Sequence, residues 1–208
     1  MGQKQDFLTR TIRKSFEIQR YEKLSSADIL NSNYSNEIKD IYSVFKGQLH
    51  IPPTKFGSWD IATSKFIIEL DEERHFNRYR SITLNSPFYL KHQNFSVADY
   101  QTYCSIYENA CLKAASWGKN WKNDSTEKQF CKSNTYGLLT GNGSSRWKQR
   151  AYYDFLRDIS GKIMELPIIR LSIYDTYKNI SVEKILKTEQ ENVLLDLIET
   201  KIKQSATK

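Results

Sequence analysis

Trp59-Asp60-Ile61-Ala62-Thr63-Ser64-Lys65-Phe66-Ile67-Ile68-Glu69-Leu70-Asp71 is the stretch whose reading decides the fold. Residues 66–70 are an aromatic and β-branched run of the kind that packs on a pleated surface, so they predict a buried central strand. Residues 59–61 form a shorter run before it, and Thr63, Ser64 and Lys65 supply the turn, which together predict a β-hairpin. Side chains alternate faces along a strand, so Glu69 and Asp71 share a face at the strand's end. With a tight turn centred on Thr63-Ser64, Asp60 lies opposite Ile67 and diagonal to Glu69, at a Cβ separation of roughly 7 Å or less. A turn longer by one residue points Asp60 to the other face.

Three carboxylates converging on one spot repel one another unless a divalent cation neutralises them. Oxygen-only ligands select Mg²⁺ or Mn²⁺ over zinc. Such an ion polarises a phosphodiester and lowers the pKa of a bound water, which are the two needs of phosphate-ester hydrolysis. Asp60, Glu69 and Asp71 are therefore the expected metal ligands. The plain alternative is that Asp60 ends a hairpin strand and that residues 69–75 are a solvated charged loop.

Outward from the hairpin, residues 6–24 carry Phe7, Ile12, Phe16 and Ile18 among many charges and predict an amphipathic helix. Ser35 reads as the N-cap of a second helix with Ile38, Ile41, Tyr42 and Phe45 on one face, closed by Gly47. Residues 48–51, ahead of Pro52-Pro53, read as a third short strand. Tyr100, Tyr103, Tyr107, Ala110, Cys111, Ala114 and Trp117 have helical spacing, and the polar stretch 118–145 follows with Gly137, Gly141 and Gly143. Residues 147–159 return to helix, 167–173 form an apolar strand, and 182–202 a terminal helix. The fold class is α/β with a mixed sheet. Residues 1–87 and 147–208 form the core, with 1–34 as a helical extension, and 88–146 are a helical insertion with a mobile loop.

Trp59-Asp60-Ile61-Ala62, then Phe66-Ile67-Ile68-Glu69-Leu70-Asp71 followed by His75, resembles the core of the PD-(D/E)XK nuclease superfamily, in particular its very-short-patch repair and restriction endonuclease-like branch. The charged helix 150–158 leading to Leu166-Pro167-Ile168-Ile169-Arg170-Leu171 is similar to the helix and strand that close that core. The resemblance implies a restriction endonuclease-like fold and Mg²⁺- or Mn²⁺-dependent endonucleolytic cleavage of DNA, in restriction, repair or defence. Asp60 and Glu69 match the two metal-binding acids of its motif, while Asp71 stands where the motif usually has lysine. The cationic or basic role then passes to His75, Lys65 or Arg78. RNA in place of DNA, a homodimer, and a catalytically inactive nucleic-acid-binding protein of the same fold remain open alternatives.

Thirty-one Lys and Arg against 24 Asp and Glu, a formal +7, suit a chain that meets a polyanion. Arg78 and Arg80 after the central strand, and Arg146, Lys148 and Arg150 beside the glycine-containing loop, are the candidate phosphate contacts. Gln149 and Tyr153 have the i, i+4 spacing of a Gln-x-x-x-Tyr feature of exonuclease branches, and Glu37 is a further acid on a helix. Residues 137–145 lack the Gly-Lys-Ser/Thr ending of a phosphate-binding loop. Cys104, Cys111 and Cys131 form no CxxC pair and predict neither a disulfide framework nor a usual zinc site, even with His92. No apolar run has the length of a membrane span, the N-terminus lacks an apolar signal core, and Asp6 spoils a myristoylation signal. A cytoplasmic protein with no membrane partner is expected.

Overall fold

The structure, a computed structural model, describes residues 2–21, 24–91, 95–116 and 118–206. His92 and Trp117 lie outside the described residues. In chain order the elements are α1 (Gln3–Arg13), α2 (Ser26–Leu30), α3 (Ser35–Val44), β1 (Ile61–Ala62), β2 (Ile67–Asp71), α4 (Arg78–Leu84), α5 (Phe88–Lys91), α6 (Val97–Ile106), α7 (Glu108–Ala114), α8 (Asp124–Phe130), α9 (Ser145–Ile163), β3 (Ile168–Ser172), β4 (Thr176–Tyr177), β5 (Ile180–Ser181), α10 (Val182–Lys187) and α11 (Glu191–Ala206). A turn of 3-10 helix, Glu73–His75, follows β2. The chain is thus mixed α/β, and it divides into two units that differ from the expected division: residues 1–23, 57–72 and 164–208 in one, 24–56 and 73–163 in the other.

The first unit holds the sheet, ordered β1-β2-β3, with β1 antiparallel and β3 parallel to β2. Alternation divides it cleanly. Ile61, Ile68, Leu70, Ile169 and Leu171 face a core completed by Leu8 and Ile12 of α1, Ile185 of α10, and Leu194 and Ile198 of α11. Burying each such side chain contributes roughly 1.5–3 kcal/mol. On the opposite face Ala62, Ile67 and Ile168 pack with Tyr21, Trp59, Met164 and Leu166. Further along β2 and β3 that same face turns polar, with Glu69 paired to Arg170 and Asp71 to Ser172 in the register.

The hairpin turn is built by one side chain. Thr63 Oγ1 accepts from the N–H groups of Lys65 and Phe66 (3.2 and 3.1 Å), and Thr63 N–H donates to Phe66 O (2.9 Å). The turn is therefore centred on Ser64-Lys65, one residue later than expected. Ile61 pairs with Ile68 and Ala62 with Ile67, so the next position places Asp60 directly across from Glu69. A shift of two in the pairing keeps Asp60 on the same face.

Three expected boundaries change. The N-terminal helix stops at Arg13. Ile18 then bridges Thr63, and Gln19 N–H donates to Ala62 O (2.8 Å), so residues 18–19 cover the open edge of β1. Residues 48–51 are no strand: Gln48 N–H bonds Gln129 O and Leu49 N–H bonds Tyr42 Oη. Gly47 is required there because a Cβ would sit 2.2 Å from the Tyr42 ring. The terminal helix breaks at Glu189, whose φ is 50°.

The second unit is helical. α9 packs against α4 and α8, with α2 and α3 also touching it. Its core is aromatic, with edge-on pairs such as Phe88–Phe155, Tyr42–Phe130 and Trp121–Trp147. α4, α8 and α9 share this core. The stretch read as a mobile loop is tied down: Asn134 N–H donates to Gly143 O (2.8 Å) and Trp121 Nε1 to Asn134 O (2.9 Å). No helix among the described residues is long and apolar enough to cross a membrane.

Candidate functional site

Asp60 stands at the mouth of the hairpin, where the β1–β2 ladder ends. Its carboxylate continues the ladder in place of backbone: Oδ2 accepts from Leu70 N–H (2.8 Å), and Oδ1 accepts from Gln5 Nε2 of α1 (3.0 Å). Asp60 N–H in turn donates to Glu69 Oε1 (3.3 Å). Glu69 is buried, so two carboxyl groups lie close together on one sheet face with one of them withdrawn from water. Asp60 remains half-exposed and lines a hollow of about 850 Å³ together with Arg20, Tyr21 and Trp59.

Asp71 behaves differently from its two expected companions. Arg170 Nη1 donates to both of its oxygens (2.8 and 3.0 Å), and both side chains are buried. Asp71 is therefore held as one half of a buried ion pair. Among the described residues Asp60, Glu69 and Asp71 do not form a set with one oxygen each within 4.8 Å of the others. The site the sheet brings together is Asp60 with Glu69, flanked by Arg170.

Lys65 does not join them. It lies in the turn, four strand residues from Glu69, which at the rise of an extended chain is roughly 13 Å. Glu72, beyond Asp71, is bonded by Lys4 of α1 (3.0 Å). In the helical unit His75 Nδ1 meets Asp154 Oδ2 at 2.9 Å, and its Nε2 faces Arg150 Nη1 at 3.3 Å. Both contacts are satisfied when Nδ1 donates to the carboxylate and Nε2 accepts from the guanidinium. Glu37 sits in the first turn of α3, half-buried.

The five candidate phosphate contacts separate by burial. Arg80 is 1% exposed and donates to Asp158 Oδ2 (2.9 Å) and Tyr89 Oη (3.1 Å), stacked near the Tyr89 and Phe95 rings. It is a core residue. Arg78 forms a two-point pair with Glu108 (2.8 and 2.6 Å), which holds the Glu108 carboxyl below its usual range against the opposing effect of burial. Lys148 is buried and donates to Asn142 Oδ1 (2.6 Å), and burial lowers its pKa to about 8. Arg146 and Arg150 stay half-buried on one side of α9. The Gln149–Tyr153 spacing does bring Gln149 Nε2 to Tyr153 Oη (3.4 Å).

Two residues were given no role by the sequence reading. Arg170 entered it only within the strand that resembles the closing strand of the nuclease core, and Arg74 as one charge in a run of them; nothing local marks either as a partner. The three cysteines are free, and burial pushes the Cys111 thiol up to about 12.

No curated protein and no solved structure matches the chain. A family profile matches residues 40–188, a span that includes Asp60, Glu69, Asp71, Arg146, Arg150 and Arg170. The chain belongs to a family of unknown function, DUF7255.

Proposed function

We propose that this protein is a metal-dependent DNA endonuclease, built on a restriction endonuclease-like core of β1, β2, β3 and the helices on the apolar face. The observation that supports it best is the direct opposition of Asp60 and Glu69 across the β1–β2 pair, on one face and joined by the Asp60 N–H. Two carboxylates are an oxygen donor set that suits a hard divalent ion of the Mg²⁺ or Mn²⁺ type. Asp60 and Glu69 would hold it. When bound there, the ion supplies charge stabilisation to the phosphodiester and a water of lowered pKa.

The other side chains hold these two in place. Gln5 and the Leu70 N–H fix both oxygens of Asp60, and the Asp60 N–H orients Glu69. Arg170, neighbour of Glu69 in the register, is itself anchored by Asp71 and sets a positive charge beside the acids. The hollow at Asp60 offers Trp59 and Tyr21 as stacking faces and Arg20 as a phosphate contact for a strand of DNA. Asp71, which occupies the place of the motif lysine, acts through Arg170 and not as a ligand.

Plasmid and single-stranded DNA incubated with Mg²⁺ or Mn²⁺ are cut in this reading. Chelation abolishes cutting, and Asp60→Asn or Glu69→Gln lowers the rate by about 10² or more. Cleavage that persists in both variants removes the assigned site. One observation favours a second reading, a nucleic-acid-binding protein without catalysis: the buried Asp71–Arg170 pair occupies the position of the catalytic lysine. That protein binds DNA in a salt-sensitive way and does not cut it, whichever metal is supplied.

A further inference from the structure

On the helical unit, three arginines gather with no ion pair to a carboxylate among the described residues. Arg146 and Arg150 are one turn apart on α9, where i, i+4 side chains are neighbours on the helix surface. Arg74 comes from the 3-10 turn before α4, next to His75, which bonds Arg150 through Nε2 (3.3 Å). Each guanidinium has a neutral hydrogen-bond partner. Arg74 Nη1 donates to Asn120 Oδ1 (3.2 Å), Arg146 Nη1 to Gln149 Oε1, and Arg150 meets the imidazole. The nearest acid, Asp154, is taken by His75 through Oδ2, and its Oδ1 lies 3.8 Å from Arg157 Nη1.

A folded chain avoids half-buried like charges unless something repays them. Burial pulls Arg146 and Arg150 below the usual arginine range, opposed by Tyr153 at Arg146 and by Asp154 at Arg150, and reinforced by the neighbouring guanidiniums. Arginine nonetheless keeps its proton, so about three positive charges persist at one place. Guanidiniums present forked donors that match the oxygens of a phosphate. A phosphodiester carries one negative charge, a phosphomonoester close to two, so the monoester is the better complement to this excess.

We infer that Arg74, Arg146 and Arg150 form a binding site for a phosphomonoester, offered either by the terminal phosphate of a nucleic acid or by a free nucleotide. The polar chain from Arg146 runs through Gln149 to Gln129 and Tyr153 (Gln149 Nε2 to Gln129 Oε1, 2.9 Å). Gln129 and Tyr153 line a hollow of about 460 Å³ that also has Leu30, Ile51 and Pro52 in its wall, within the size range of small-molecule sites. This site is argued independently of Asp60 and Glu69.

Calorimetric titration of the full chain tests it, using inorganic phosphate, adenosine 5′-monophosphate, a 5′-phosphorylated single-stranded DNA 12-mer and the same 12-mer with a 5′-hydroxyl. The expected result is that the phosphorylated 12-mer binds at least tenfold more tightly than its hydroxyl counterpart. Adenosine 5′-monophosphate equal to the phosphorylated 12-mer supports the free nucleotide as the source, and weaker binding supports the nucleic-acid end. Arg74→Gln and Arg146→Gln each lose tenfold or more, and Arg13→Gln, an exposed site on the sheet unit with the same loss of charge, does not. Wild-type melting rises with saturating ligand and that of the two variants does not. Equal binding of the two 12-mers, no binding by any probe, or equal losses in Arg13→Gln and Arg146→Gln overturns the inference.

Discussion

Asp60 and Asp71 are both acids on the same sheet face, yet substitution separates them. Asp71→Ala leaves Arg170 charged and buried without the carboxylate it pairs with, which costs about 3–5 kcal/mol and is read from urea unfolding at pH 7. Asp60→Asn keeps an acceptor for Leu70 N–H, so its unfolding free energy falls by only about 1 kcal/mol while the proposed cleavage is lost. The same reasoning applies to Lys148, whose pKa in the fold is lowered to about 8 from 10.5 by burial. Below pH 8 it is charged both folded and unfolded and the burial penalty is fully present; between about 8 and 10.5 the unfolded chain binds more protons, so this penalty fades as pH rises. Lys148→Met is therefore more stable than the parent at pH 7, and the difference shrinks toward pH 10.5, measured by urea unfolding across that range. The acids themselves were legible from alternation along residues 69–71, but their partners were not, because Arg170 is a hundred residues away and pairs through the parallel β2–β3 ladder.

The hairpin turn shows what an element's sequence does and does not specify. Two polar turns were compatible with residues 62–66, and the deciding contact is the Thr63 hydroxyl, which accepts two N–H groups at once. Thr63→Val keeps the shape and removes that acceptor, leaving buried Phe66 N–H unsatisfied; a loss of about 1–3 kcal/mol is expected. For a chain of this size that is a fall in melting temperature of roughly 2–12 °C by calorimetry. Helices with a clear apolar stripe, such as α3 and α9, were readable from spacing. Their ends and the covered edge of β1 were not, because Ile18 leaves the helical pattern to pair with Thr63, a contact set by the sheet and not by its own neighbours.

At the scale of the whole molecule, composition marks only one boundary between the sheet unit and the helical unit, the Pro52-Pro53 to Gly57 segment. The chain crosses between the units four times, and the later crossings fall between Glu72 and Glu73, inside a charged run, and between Ile163 and Met164 at the end of α9. The excess of 31 basic over 24 acidic residues was visible from the start, but most of the basic residues singled out as phosphate contacts are spent on internal pairs. With the three arginines of the helical unit as the phosphate contacts, affinity for the phosphorylated 12-mer falls roughly twentyfold between 50 and 200 mM salt, whereas a surface of many cations gives a thousandfold or more.

Crystals soaked in Mn²⁺ and measured for anomalous scattering test the Asp60–Glu69 assignment most directly. The expected result is one strong peak about 2 Å from an oxygen of each of these two carboxylates, absent in Glu69→Gln. A map without a peak there, or with the ion bound by other side chains alone, contradicts it.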